Sequence, residues 1–157
     1  MKRLHWLVIP AALSGGLATT AMADDGSLSD SQLDRLLERA SQYGFTQYEE
    51  ISLDDGERVE IEGWRDDGWH LDVDMLASSG ELVHEEQSKS QIPDWSLSGD
   101  ELRQALASAR EAGLQRFGQL DVDDNGHLEI EGYDTQAREV EIRMNRSDFS
   151  VIGVDHD

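Results

Sequence analysis

The chain has 157 residues, with 34 Asp and Glu against 13 Lys and Arg and a formal net charge of −21. That balance excludes nucleic acid and anionic membrane surfaces as partners, since both require a basic footprint. The chain has no cysteine, which excludes disulfides, thiol nucleophiles and lipid attachment through an N-terminal cysteine.

Residues 1–23 read as a secretory signal peptide. Lys2 and Arg3 form a positive n-region, an apolar stretch runs from Leu4 to about Leu17, and Ala21-Met22-Ala23 is an A-x-A cleavage signal. The stretch is too short and too rich in Gly and Ala for a membrane anchor. Cleavage after Ala23 predicts a soluble product that is periplasmic or secreted. It leaves 11 basic residues against 34 acidic ones and moves the formal charge to about −23. The acids are spread along the chain rather than clustered, so they read first as a solvated surface and second as a site for cations or a basic partner.

The first predicted element is a helix over residues 30–43. Ser29 and Gln32 form a capping box, Leu28 and Leu33 a hydrophobic staple, and Gly44 a left-handed stop. Leu33, Leu36, Leu37 and Ala40 recur at helical spacing. The period then changes to two. Ile51 and Leu53 precede the Asp54-Asp55-Gly56 turn, and Val59 and Ile61 precede the turn at residues 65–68. Trp69, Leu71, Val73 and Met75 precede Ser78-Ser79-Gly80, and a short last strand begins at Glu81-Leu82-Val83. Alternation of this kind predicts an antiparallel meander with one buried and one wet face. Residues 87–95, polar and containing Pro93, read as a linker, with Trp95 packed at the junction.

The whole unit then repeats at an offset of 69 residues. Ser27-Leu28-Ser29 returns as Ser96-Leu97-Ser98, Gly44 as Gly113, Asp54-Asp55 as Asp123-Asp124, and Glu60-Ile61-Glu62-Gly63 as Glu129-Ile130-Glu131-Gly132. A second helix over 99–112 carries Leu102, Ala105, Leu106 and Ala109 on one face. Strands follow around Leu120 and Val122, Leu128 and Ile130, Val140 to Met144, and Val151 and Ile152. The predicted class is α+β, with two tandem repeats of one helix and about four short antiparallel strands, over 27–86 and 96–157.

The capped helix ending in Gly44, Asp54-Asp55-Gly56, Val59-Glu60-Ile61, Asp67-Gly68, Leu71-Asp72-Val73-Asp74 and Gly80-Glu81-Leu82-Val83 together resemble the PepSY domain. The second repeat resembles it through Leu106, Ala109, Gly113, Leu120, residues 123–126, Leu128-Glu129-Ile130 and Val140-Glu141-Ile142. It departs where Arg143 and Phe149 replace Asp74 and Gly80. The resemblance implies a domain that holds or inhibits partner proteins such as peptidases, and it implies no catalytic set.

Candidate sites are few. Asp121-x-Asp123-x-Asn125-Gly126 has the opening of an EF-hand loop, but Gly132 stands where the bidentate acid is needed and strands follow where a helix should. The stretch reads as a hairpin turn. His70 alternates with Asp72 and Asp74 on a wet strand face and could hold a transition metal weakly; the plainer reading is a solvated face. Trp64 and Trp69 flank a hairpin tip and are the candidate partner-binding residues; the equal alternative is that they cap the core or pair across strands. No catalytic residue, metal ligand or cofactor is assigned. The reading is a non-enzymatic periplasmic protein that binds or inhibits an unidentified protein partner such as a peptidase. The alternative is an acidic divalent-cation-binding module of the cell envelope.

Overall fold

A computed structural model describes residues 26–157; the predicted signal peptide lies outside the described residues. The first repeat is α1 (Asp30–Tyr43) followed by β1 (Phe45–Asp54), β2 (Arg58–Arg65), β3 (Trp69–Leu76) and β4 (Leu82–Lys89). After the two-residue β5 (Leu97–Ser98), the second repeat is α2 (Gly99–Glu111), β6 (Arg116–Val122), β7 (His127–Tyr133), β8 (Glu139–Asn145) and β9 (Val151–His156). Both capping boxes form: the Ser29 N–H donates to Gln32 Oε1 at 2.9 Å and the Ser98 N–H to Glu101 Oε2 at 2.8 Å. Gly44 and Gly113 take the left-handed conformation expected of them, with φ of 98° and 118°.

The two meanders are one sheet, in the order β4-β3-β2-β1-β6-β7-β8-β9. β1 and β6 join them, antiparallel, through Glu50 opposite Asp121, Ile51 opposite Leu120 and Ser52 opposite Gln119. Ile51 and Leu120 are themselves 69 positions apart, and the flanking pairs exchange when the repeats are exchanged. A pseudo-twofold axis therefore passes between Ile51 and Leu120, as in an isologous dimer interface. The segments before the helices cross that axis. Leu28 pairs with Phe117 of β6 through two backbone hydrogen bonds of 2.6 and 2.8 Å. Its counterpart Leu97 pairs with Tyr48 of β1, so each repeat completes the other.

Alternation decides which face is filled. Ile51, Val59, Ile61, Leu71, Val73 and Met75, with Leu120, Val122, Leu128, Ile130, Val140, Ile142 and Met144, point to the side of the helices and are buried. They form one core with Leu33, Leu36, Leu37 and Ala40 of α1 and Leu102, Ala105, Leu106 and Ala109 of α2. One shared core relieves the shortage of apolar area that a unit of about 60 residues would face alone.

The strands are longer than the apolar pattern predicts. β1 starts at Phe45, and β4 runs to Lys89, into the predicted linker, with every residue exposed. β1 and β6 share an irregularity, at Tyr48/Glu50 and at Phe117/Gln119, and β1 has a further one at Phe45/Gln47. There the backbone comes close to β2 and β7. A Cβ at Gly63 would collide with the Gln47 carbonyl oxygen, and one at Gly132 with the Arg116 carbonyl oxygen. These repeated glycines leave room for the neighbouring strand.

Candidate functional site

The other face of the sheet carries no helix among the described residues, and the strand register gathers acids onto it. Glu86, Asp72, Glu62, Glu50, Asp121 and Glu129 stand side by side across β4, β3, β2, β1, β6 and β7, and Arg143 of β8 closes the row. A parallel row runs through His84, Asp74, Glu60, Ser52, Gln119, Glu131, Glu141 and Asp155. Neighbouring strands are about 4.8 Å apart, so these are direct cross-strand neighbours, and like charges there repel. Acids spread evenly along the sequence are thus concentrated in space.

The crowding shows in the acidities. Glu62 is pushed up to about 7, first by burial and then by Asp72, Glu50, Glu49 and Glu60. Glu129 is pushed up to about 7 by burial and by Glu141 and Glu131. Glu50, Glu60 and Asp121 rise for the same reasons, burial first. Basic residues near this face are few. Arg143 pairs with Asp155 at 2.5 Å and lies 3.7 Å from Glu141.

The bulge in β1 places Glu49 at one corner of the face. His70 Nε2 lies 3.3 Å from Glu49 Oε2 and 3.8 Å from Glu62 Oε2. Beside them Trp64 is only 3% exposed and buried outside the main core. Its ring meets His70 edge-on at 4.7 Å and Trp95 at 5.6 Å, and its indole N–H has no hydrogen-bond acceptor. Arg146 anchors the Trp95 segment by donating to the Trp95 and Ser96 carbonyls at 2.9 and 2.7 Å and to Glu101 at 3.0 Å.

The second repeat has Gly118, Glu131, Tyr133, Glu139 and Gly26 where the first has Glu49, Glu62, Trp64, His70 and Trp95. With two glycines in place of a carboxylate and an indole, a cleft of about 380 Å³ stands there, walled by Glu131, Glu139, Glu141, Asp155 and Asp157.

The sequence-predicted residues are distributed as follows. Trp64 and Trp69 lie on opposite faces of the sheet: Trp69 packs half-buried on the helix side, with the Lys89 ammonium 4.7 Å over its ring. His70 shares its strand face with Asp72 and Asp74, but its close neighbours are Glu49 and Glu62 from other strands. Asp123 is committed to its turn. Its Oδ1 accepts the N–H groups of Asn125 and His127, each at 2.9 Å, and its Oδ2 lies 2.9 Å from His127 Nδ1. Those bonds hold its carboxyl far below the usual range. Asp121 points away into the carboxylate row. The sequence reading missed Glu62, which the β2–β3 register brings to His70, and Glu49, which the bulge reveals.

Comparison with known proteins identifies the architecture. A family model described as peptidase propeptide and YPEB domain, PepSY_2, matches residues 7–86, half of the chain. The chain belongs to the PepSY_2 family. That match spans the first PepSY_2 repeat; the offset of 69 residues and the matching ladders relate the second repeat to it. Among solved structures, a candidate lipoprotein from Clostridium difficile 630 is similar, with 12% sequence identity and a TM-score of 0.40 over 87% of this chain and 98% of that chain. No curated protein matches. No helix among the described residues of this PepSY_2 protein is long and apolar enough to cross a membrane.

Proposed function

We propose that this is a non-enzymatic, exported PepSY_2 protein that binds a protein partner, such as a peptidase, through the open acidic face of its sheet. One observation carries the reading: a sheet face that no helix of the described residues covers bears two rows of facing carboxylates. Repulsion of this kind is relieved by positive charge from outside, and a basic surface laid on the face supplies it. Trp64 acts from beneath, by holding Trp95 and His70 in place. Trp69, on the helix side beside Lys89, lies away from this face.

The positive n-region, the apolar stretch and the A-x-A signal before Asp24 support passage across the cytoplasmic membrane. The mass of the exported chain checks this: cleavage after Ala23 is expected.

Cross-linked capture from a cell-envelope extract tests the binding, run in parallel with a chain in which Glu60→Gln, Asp74→Asn and Glu131→Gln thin the rows. A partner held by the unaltered chain, released by the thinned one and weakened by salt is the expected result. Equal recovery by both chains removes the face from the reading. No recovery at any ionic strength removes the reading itself.

A further inference from the structure

At the corner of the open face, three strands each deliver one donor atom to a common point. Glu49 comes from the bulge of β1, Glu62 from β2 and His70 from β3, and their ligand atoms all lie within 4.8 Å of one another. The side chains are 31%, 28% and 21% exposed, so the point is reachable from solvent but partly shielded from it. A single imidazole N–H is a poor match to this arrangement. At 3.8 Å, the Glu62 oxygen is beyond hydrogen-bond reach.

Two further observations bear on what belongs there. The buried Trp64 indole N–H has no acceptor, and its ring touches that of His70 on the adjoining strand. A donor stranded beside a cluster of carboxylates and an imidazole is satisfied when a water or carboxylate is drawn in and held, as in the outer shell of a metal site. The second repeat keeps the bulge but has Gly118, Glu131 and Glu139 at the corresponding positions, so the nitrogen donor and one carboxylate are absent there. The cluster is therefore not demanded by the fold.

We propose that Glu49, Glu62 and His70 form a site for one divalent transition metal ion, with Zn²⁺ the best match. One imidazole nitrogen and two carboxylate oxygens suit Zn²⁺, and the fourth tetrahedral position is left to water. Ca²⁺ and Mg²⁺ favour oxygen donors and six or more ligands, so they compete poorly for a site with a nitrogen vertex. The two positive charges of the ion cancel the two glutamates that otherwise repel each other. The site does not depend on a protein partner, and its test is independent of one.

Calorimetric titration of the full exported chain with ZnCl₂ at pH 7, repeated with CaCl₂, is the experiment. One equivalent of Zn²⁺ is expected to bind saturably, with Ca²⁺ at least tenfold weaker. His70→Ala and the isosteric Glu49→Gln are each expected to weaken Zn²⁺ at least tenfold, with far-UV circular dichroism unchanged. Glu139→Gln in the second repeat is expected to leave it as it was. Nuclear magnetic resonance of the His70 ring nitrogens provides a second readout that does not depend on the variants, and a shift saturating with the heat is expected. Weak binding of several equivalents that His70→Ala and Glu49→Gln leave unchanged would overturn the proposal, as would the absence of saturable heat. So would a His70 ring that does not respond to Zn²⁺.

Discussion

In the first repeat the corner of the open face is occupied by Trp64 and Trp95 and bordered by Glu49, Glu62 and His70. In the second, Tyr133, Gly26, Gly118, Glu131 and Glu139 hold the same places and a cleft of about 380 Å³ remains. The backbones share the bulge and the glycine opposite it, so at this corner the difference lies chiefly in side chains. Features present in both repeats answer to folding: capping boxes, Asp-rich turns, Gly63 and Gly132. Features present in one are free to serve a ligand or a partner. The same logic sets aside the Asp121-x-Asp123-x-Asn125 stretch, whose key carboxylate is spent on a turn.

Substitutions at the axis test whether the halves stand or fall together. Leu120→Ala removes a fully buried side chain from the ladder that joins β1 to β6. A loss of about 3–4 kcal/mol is expected, with the whole chain still melting in one calorimetric transition. Two separate transitions would break the comparison, because the halves would then be independent domains.

The glycine pair tests equivalence within the halves. Gly63→Ala and Gly132→Ala each drive a methyl group into a carbonyl oxygen of the neighbouring strand, and each is expected to cost about 3 kcal/mol in urea denaturation. Costs that differ greatly would show that only one bulge is built as described.

The corner comes next. Trp95→Ala strips the cover from Trp64 and should cost about 2 kcal/mol, with a red shift of Trp64 fluorescence as water reaches the ring. Gly26→Trp, the converse change at the cleft, is expected to leave stability nearly unaltered.

Acidity gives the smallest effect. Glu62 and Glu129 hold protons in the folded state up to about pH 7, whereas the ordinary Glu value is 4.5. The folded chain therefore binds more protons than the unfolded one between those limits, and stability falls as pH rises through that window. A thermal midpoint a few degrees higher at pH 5.5 than at pH 7.5, in the presence of a chelator, is expected. Below about pH 4 the sign reverses, because the depressed carboxyls of Asp123, Asp134 and Asp148 lose their hydrogen bonds on protonation. A midpoint that rises between pH 5.5 and 7.5 would contradict the repulsion assigned to the rows.

Elements governed by local chemistry were legible in the sequence. Ser29 with Gln32 and Ser98 with Glu101 marked both helix starts, and strict alternation marked β2, β3, β7 and β8. β4 was legible only at its first residues. An edge strand exposed on both faces, such as Val83 to Lys89, has no apolar period to read. The joining of the meanders was hidden for a different reason, since nothing in Glu50-Ile51-Ser52 names Gln119-Leu120-Asp121 as its partner. The site suffered most. His70 was visible as a candidate, but Glu62 reaches it across a strand boundary, and Glu49 only because an extra residue in β1 turns it onto the open face. Trp64 read equally as a binding aromatic beside a turn and as a packed ring, and the path of Trp95 over the sheet decides for the packed one.

The axis between Ile51 and Leu120 also bears on how this protein behaves on dilution and under mutation. Two separate chains meeting through such a self-complementary ladder would come apart at low concentration, and any substitution would appear on both sides at once. Here residues 90–96 tether the halves, which makes the association intramolecular and independent of concentration. Each half can then carry its own substitutions. A histidine placed in one corner and a hollow in the other is an arrangement no symmetric pair could encode.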